Sequence, residues 1–406
     1  MRRKPRIAIV GGGIGGFTAA LAMRQRGIEV ELFEQSPRIG EIGAGVTLSP
    51  NAVKAYRALS IDDQIASIGF ESDFQVVRDG NTGAEISRVL RKGVYQKEFG
   101  APYFSMHRAD LVEVLARNVS EDIVRLDARC VAAQNTPTGA VARFADGREI
   151  EADLVVGADG IHSAVRRSIF GEEAPRFTGT VCWRGLVPYD RLPNGAISTD
   201  LNLYMAPRRH LIHYMVRRGE LVNFVAHVES DSWTGESWTQ ECDRSEMLET
   251  FADWHEPVLE LIGASDQHYK WALYDRDPLD RWSSGNITLL GDSAHAMPPF
   301  IGQGACMAIE DGYILAASVA GSPDDLAEAL RRYEGLRVSR ASRAVLEARA
   351  LGEQMHLSSD EERQERNARM AHGHKAGGDK TGVNLGSFYA YDVAAVAMAG
   401  LSHAPA

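Results

Sequence analysis

Apolar residues in the first part of the chain fall into strand, turn, helix and strand. Arg6 to Val10 is a short β-branched run that ends in Gly11-Gly12-Gly13-Ile14-Gly15-Gly16. Phe17 to Arg26 has helical composition, and Glu29 to Glu34 is a second strand with an acid at its end. The same grammar returns twice. Leu154 to Val156 runs into Gly157-Ala158-Asp159-Gly160-Ile161-His162-Ser163-Ala164-Val165-Arg166, and Ile287 to Leu290 runs into GDSAHAMPPFIGQGACMAIED, residues 291 to 311. Each is a buried-strand run, a turn and a helix start.

Between Thr178 and His227 the period changes. Thr180 to Val187, Leu201 to Met205, Leu211 to Val216 and Leu221 to Ala226 are short strands with turn residues between them, which predicts an antiparallel sheet inserted into the first unit. The two-residue period sets His210, Ile212, Tyr214 and Val216 on one face, with His210 and Tyr214 about 13 Å apart along it. Asn51 to Leu59 is predicted helical, and His107-Arg108-Ala109-Asp110-Leu111 opens another helix. Residues 71–105 carry only one clear signal, a hairpin turn at Asp79 to Gly83. Trp271 to Trp282 reads as turn-rich. Ser322-Pro323-Asp324-Asp325 reads as a helix start, with serine as cap and Leu326, Leu330 and Tyr333 on its apolar face. A charged helix is expected to continue to about Met370, then a linker from His372 to Gly382 with solvated histidines, then a docked tail from Phe388 to Leu401.

Composition narrows the class. The 406 residues suit two or three domains, and 44% apolar with 24% charged residues is ordinary for a globular protein. A formal net charge of −11 with no basic block argues against a nucleic-acid partner. Cys130, Cys182, Cys242 and Cys306 lie far apart, which suits buried thiols in a reducing cytoplasm and neither disulfides nor zinc. Arg2, Arg3 and Lys4 precede an apolar run too short for a signal peptide, and no window is long enough to span a membrane.

The glycines carry the candidate chemistry. Gly11 suits a tight turn, Gly13 lets backbone approach a pyrophosphate, and Gly16 permits close helix packing, with the helix N-terminus facing the phosphates. Glu34 is placed for a ribose diol and favours an adenosine without a 2′-phosphate. The glycines at 40, 43 and 45 fit either backbone lying against a ligand or a solvated loop. Arg108 by itself reads as a surface helix residue, Asp159 as a helix N-cap, and His210 as a strand-end histidine. Asp292 is placed to accept from sugar hydroxyls, while Pro298 and Pro299 stiffen a loop that ends at a helix N-terminus suited to an anion.

Taken together, GGGIGG with Glu34, GADGIHSAVR and GDSAHAMPPFIGQG resemble the motifs of the single-component FAD-dependent aromatic hydroxylases, the class of salicylate hydroxylase, 3-hydroxybenzoate 6-hydroxylase and 6-hydroxynicotinate 3-monooxygenase. The resemblance runs from residue 6 to about residue 340. It implies an α/β fold: a Rossmann-like FAD-binding domain with an inserted antiparallel-sheet substrate domain and a helical C-terminal region. The expected division is 1–70, 106–176 and 276–320 for FAD, 71–105 and 177–275 for substrate, and 321–406 for the helical region. Gly11, Gly13, Ile14, Gly15, Gly16, Glu34 and Gln35 match the site for the ADP half of FAD, and Gly45 and Val46 a backbone segment against it. Arg108 matches an arginine near the FAD phosphates, Asp159 and Gly160 the DG motif, and Gly291 and Asp292 the GD motif. Gly302, Gln303, Gly304 and Ala305 would face the flavin ring, with Pro299 at its edge.

The resemblance makes His210 and Tyr214 active-site residues, His210 as base. The 3-hydroxybenzoate enzymes have glutamine where Pro299 stands, which counts against that substrate. The implied activity is hydroxylation of a small aromatic acid, with or without decarboxylation, by NADH or NADPH and O2 through a flavin C4a-hydroperoxide. Alternatives are a larger ring such as an alkylquinolone or polyketide, or a flavin oxidase or dehydrogenase. The expected protein is cytoplasmic, a monomer or homodimer, without membrane, nucleic-acid or metal partners.

Overall fold

The computed structural model describes residues 4–40, 45–231, 240–241, 243–372 and 384–402. Gly43, Cys242, the N-terminal Arg2 and Arg3, and linker residues 373–382 lie outside the described residues.

The three strand-turn-helix units meet in one sheet. Its strands run in the order Ser283–Ser284, Ile287–Leu289, Leu154–Gly157, Arg6–Val10, Glu29–Phe33 and Val124–Arg125, parallel except for the outermost Ser283–Ser284 pairing. Ile7, Ile9, Leu154, Val155, Val156, Ile287 and Leu289 are fully buried, as the unbroken apolar runs require of a parallel sheet covered on both faces. Val10 is level with Gly157 and Phe33, and Gly157 with Leu289, so all three glycine turns leave from the same carboxyl edge. That edge is where open α/β sheets bind ligands.

The second sheet has eight strands, in the order Gln240–Glu241, Tyr269–Asp275, Arg176–Pro188, Leu221–Glu229, Arg209–Val216, Leu201–Ala206, Phe74–Asp79 and Glu85–Leu90. Its pairings are antiparallel with one exception: Leu201–Ala206 runs parallel to Phe74–Asp79. One face buries Trp183, Leu211, Met215 and Phe224 against Phe251 and Leu261 of the helices Arg244–Thr250 and Glu256–Gly263. The other packs Leu203 and Met205 with Met307 and Leu351, from the helices Gly304–Gly321 and Leu326–Met355. Alternation along Arg209–Val216 therefore sorts His210, Ile212 and Tyr214 away from the Leu211–Met215 core.

Several expectations need correction. Trp271 to Asp275 is not a turn but part of a strand, held by pairing with Arg176–Pro188. The helix after Gly321 begins at Leu326, capped by Asp325, whose carboxylate accepts from Glu328 N at 2.9 Å; Ser322 instead ends the preceding helix. The charged helix is two helices, Leu326–Met355 and Asp360–His372, so His356 falls in the break and His372 ends the second helix. Cys182 and Cys306 are buried thiols, but Cys130 is only half-buried. The tail docks as expected through Phe388, Tyr389, Val393 and Ala397. No helix among the described residues is long and apolar enough to cross a membrane.

Candidate active site

The first turn is packed so tightly that only glycine fits at two of its positions. A Cβ on Gly11, at φ +110°, would lie 2.2 Å from Ala158 O, and one on Gly16 would lie 1.9 Å from Gly11 O. Gly13 differs: a Cβ there would meet nothing within 4 Å. It faces an open cradle in front of the helix Ile14–Gln25, whose first N–H groups have no carbonyl partners of their own. Glu34 accepts from Gly12 N at 2.7 Å and Ser36 N at 2.8 Å, one bond per carboxylate oxygen, so each oxygen keeps a lone pair for a hydroxyl donor. Gln35 beside it is exposed.

The second turn borders the first. The N-cap of the helix Ala164–Phe170 is Ser163, whose hydroxyl accepts from Arg166 N at 2.8 Å, and not Asp159 as the sequence suggests; Asp159 lies outside the helix, its carboxylate accepting from Ala164 N at 2.8 Å and Val165 N at 3.2 Å. Burial raises its pKa, opposed by those bonds and by the Ser163 hydroxyl. Gly160, at φ +76°, has open space where a Cβ would be. Arg166 ties this unit to the third motif, bonding Ser293 O at 3.3 Å and Glu173 Oε2 at 2.6 Å. A cleft of about 410 Å³ opens beside it, lined by His162, Arg167 and Arg276 among others. Arg166 and Arg276 are occupied there by Glu173 and by backbone carbonyls, and His210 is not among the residues that line the cleft.

The third turn supplies the wall. Gly291, at φ +60°, precedes the short helix Asp292–His295, and Asp292 is exposed with no hydrogen-bond partner among the described residues. Pro299 is exposed at the start of the turn Pro299–Ile301, Pro298 is buried, and Gly302 is left-handed at φ +64°, against Thr47 and Tyr103. The helix starts at Gly304. Gln303 turns inward, donating to Ser49 Oγ at 2.8 Å and accepting from Asn51 Nδ2 at 3.1 Å, so its side chain fixes the loop. Gly304 and Ala305 stand at the open N-terminus.

Opposite this loop stands the second sheet. Gly45 and Val46 belong to the strand Gly45–Leu48, paired with Phe104–His107, so Gly45 sits level with His107 and one residue from Arg108. Gly45 N donates to Asn223 Oδ1 at 2.8 Å, and a Cβ on Gly45 would lie 2.6 Å from the Tyr214 hydroxyl. Tyr214 thus packs against the backbone of the strand Gly45–Leu48. At the other end of the strand Arg209–Val216 from Tyr214, His210 packs edge-on to Phe300, ring centroids 5.5 Å apart. Ile212, Tyr103, Met297 and Phe300, all partly buried, pack against the cluster that holds Leu203, Met205 and Met307.

Two features of this site are absent from the sequence reading. His210 is surrounded by His227, stacked at 4.3 Å, and His356, whose Nε2 is 2.7 Å from His210 Nδ1. Burial, then the neighbouring imidazoles, hold the His210 pKa well below its ordinary value, so it is neutral. The second feature is a buried ionic network that anchors the third motif. Asp311 Oδ2 accepts from Gly291 N at 3.0 Å and lies 2.6 Å from His295 Nε2. Arg337 joins Asp311 to Glu310, and Arg340 and Asn51 also bond Glu310. Burial works against both carboxylates, but Arg337 and Arg340 on Glu310, and His295 and Arg337 on Asp311, hold their pKa values low. The acids sit about two helical turns beyond the glycines of the motif, but nothing in the local pattern marks their partner Arg337.

Residues 4–348 match the FAD binding domain family. The chain belongs to this family. It is an FAD-dependent aromatic-ring monooxygenase, with NAD(P)H and O2 as co-substrates. It is 39% identical over 354 residues to 3-amino-4-hydroxybenzoate 2-monooxygenase of Streptomyces platensis, covering 87% of this chain and 89% of the relative. It is 36% identical to 6-hydroxynicotinate 3-monooxygenase of Bordetella bronchiseptica, covering 84% and 90%. A salicylate hydroxylase substrate complex superposes with a TM-score of 0.80 at 28% identity, covering 99% of each chain. The residues fit FAD: the cradle before Gly13 is open where a Cβ would otherwise stand, Asp292 is unpartnered, and the glycine turns share one sheet edge.

Proposed function

We infer that this monooxygenase hydroxylates a small aromatic acid that carries a carboxylate and a ring hydroxyl, of the aminohydroxybenzoate, salicylate or hydroxynicotinate type, with or without loss of CO2. The observation that carries this reading is the strand Arg209–Val216, which sets His210 and Tyr214 on one face with Ile212 between them, against Phe300 and Gly45. Relatives named for 3-amino-4-hydroxybenzoate and 6-hydroxynicotinate support it, and Pro299 counts against 3-hydroxybenzoate. Residues 1–70, 106–176 and 276–320 are read as the FAD-binding part, with 71–105 and 177–275 covering the substrate, in a cytoplasmic protein.

Gly11, Gly13, Ile14, Gly15, Gly16, Glu34 and Gln35 would hold the ADP half of FAD. Gly45, Val46, Arg108, Asp159, Gly160, Gly291 and Asp292 would hold its phosphates and ribityl chain, and Gly302 to Ala305 its ring. When bound, FAD would supply the redox chemistry between NADH or NADPH, O2 and the ring. The free N–H groups at Gly304 and Ala305 favour negative charge beside them. His210, neutral through burial, accepts the ring hydroxyl proton at Nε2, because its Nδ1 faces His356. A phenolate ring is the better nucleophile. Tyr214, about 13 Å along the strand, cannot share that proton and orients the far edge of the ring.

The test is a screen of 3-amino-4-hydroxybenzoate, 6-hydroxynicotinate, salicylate and 3-hydroxybenzoate for stimulated NADH oxidation and for product containing oxygen from O2. Stimulation by none of them removes the reading. Stimulation by an alkylquinolone alone would move the substrate to the larger rings, for which a 34% identical aurachin C monooxygenase/isomerase covered to 88% is the precedent. His210→Ala and Tyr214→Phe, with hydroxylation followed separately from NADH oxidation, test the assigned roles. Unchanged coupled hydroxylation in both removes these residues from the reaction.

A further inference from the structure

Behind His210 the fold lines up ionisable side chains that the reaction so far leaves unused. His356, in the break after the helix Leu326–Met355, places Nε2 2.7 Å from His210 Nδ1. Its Nδ1 lies 3.5 Å from Glu229 Oε1, at the end of the strand Leu221–Glu229. Both imidazoles are buried, whereas the Glu229 side chain is 34% exposed and holds Arg208 at 2.8 Å. The line therefore runs from the substrate face of the sheet to solvent.

His227 is beside this line and not in it. Its ring stacks on His210 with 18° between the planes, so faces meet rather than nitrogens. Phe300 closes the other side, edge-on to His210 and His227 at 5.5 Å and to His356 at 6.1 Å. No group of His, Cys, Asp or Glu among the described residues is arranged to hold a metal ion.

We propose that His210, His356 and Glu229 form a proton relay that carries the ring-hydroxyl proton of the bound substrate out of the active site. The proposal rests on the reading of His210 as the base. The substrate O–H bond breaks and its proton joins His210 Nε2. His210 Nδ1–H passes to His356 Nε2, and His356 Nδ1–H passes to the Glu229 carboxylate, directly after a small side-chain rotation or through one water. Each imidazole exchanges one tautomer for the other and neither has to remain cationic. Glu229 then releases the proton to solvent.

The surroundings make such a hand-over necessary. Burial disfavours a cation on either ring, and it lowers His356 to about 4 although Glu229 works in the opposite direction. Arg366, on the helix Asp360–His372, also opposes charge on His356 while it bonds the carbonyls of Gln354 and Met355. Arg208 neutralises part of the Glu229 charge from the hairpin turn, and Asp79 faces Arg366 from the sheet. A base that kept its proton would hold an imidazolium where the site resists one.

The relay is tested on the FAD-loaded enzyme without oxygen, with whichever of the four acids above stimulates NADH oxidation most. Phenolate absorbance is followed after rapid mixing between about pH 6 and 9. His356→Gln and Glu229→Gln are expected to slow ligand deprotonation at least about tenfold, with acid affinity nearly unchanged, and added imidazole to restore the rate in His356→Ala. A role limited to packing would move affinity and stability, not the imidazole rescue. Wild-type deprotonation rates in Glu229→Gln and His356→Gln overturn the relay and leave His210 as base. A wild-type rate in His210→Gln overturns the base instead. Glu229 lies at the surface, so a wild-type rate in Glu229→Gln alone decides against the relay where His356→Gln fails to fold.

Discussion

Arg337 Nε lies 2.7 Å from Asp311 Oδ1, and neither side chain has any exposure to solvent. Through Asp311 this pair reaches Gly291 N and His295, and through Glu310 it reaches Asn51, so the loop that follows Gly291 is fixed from behind by charges. Removing the cation that joins two buried carboxylates leaves them short of compensating charge.

Arg337→Met should therefore cost about 3–5 kcal/mol of stability. The measurement is the thermal midpoint of the protein together with its FAD content, and both should fall. Arg337→Lys should not restore them, since a single ammonium cannot fork between two carboxylates as the guanidinium does. A wild-type midpoint in Arg337→Met would show that Arg340 and His295 suffice.

Gly13→Ala and Gly16→Ala separate cofactor binding from folding. A Cβ on Gly16 collides with Gly11 O, so Gly16→Ala should fail to give folded protein. A Cβ on Gly13 meets no protein atom within 4 Å, so the apo-protein should melt like wild type while FAD affinity, by titration of flavin fluorescence, drops by roughly tenfold or more. Equal FAD affinity in Gly13→Ala would mean that the cradle is not the pyrophosphate site.

Asp292 is exposed without a partner among the described residues, so Asp292→Ala should leave the apo-protein's stability within about 0.5 kcal/mol. Its effect should appear in FAD retention on gel filtration. Full retention would remove it from the cofactor site.

Acid sensitivity should come from histidines before carboxylates. Burial lowers His213 and His227 to about 3 and His356 to about 4, and holds His210 well below its usual value. As pH falls from about 6.5 the unfolded chain takes up these protons first, so their contribution is complete above that pH and is lost as pH falls toward the folded values. Glu310 and Asp311, held low, add their loss only below about pH 4. The thermal midpoint should be flat above neutrality and fall steadily between about pH 6.5 and 4. His213→Phe should flatten that slope, because both His213 ring nitrogens are buried without a hydrogen-bond partner and the ring stacks on Tyr204 at 5.8 Å. An unchanged slope would place the acid sensitivity elsewhere.

Much of the fold is legible in the residues because its signals are local. An apolar run that stops at glycines and resumes with helical spacing needs no distant partner to be read, and all three such units appear where the pattern puts them. Alternation likewise assigns His210 and Tyr214 to one face of a strand. The misreadings share a cause. Trp271 to Asp275 becomes a strand because a neighbour pairs with it, and the helix after Gly321 starts at Leu326, capped by Asp325 rather than Ser322, because the aspartate carboxylate reaches the Glu328 N–H.

By itself the sequence determined three strand-turn-helix units, the inserted sheet and the glycines with room for a dinucleotide. Only the tertiary structure decided what surrounds the catalytic candidates. His356 meets His210 across 146 residues, and Arg337 meets Asp311 across 26. Periodicity states which face a side chain takes, but the partner on that face is set by packing between distant segments. Those partners settle whether a histidine is neutral, where its proton can go, and what holds the loop after Gly291 in place.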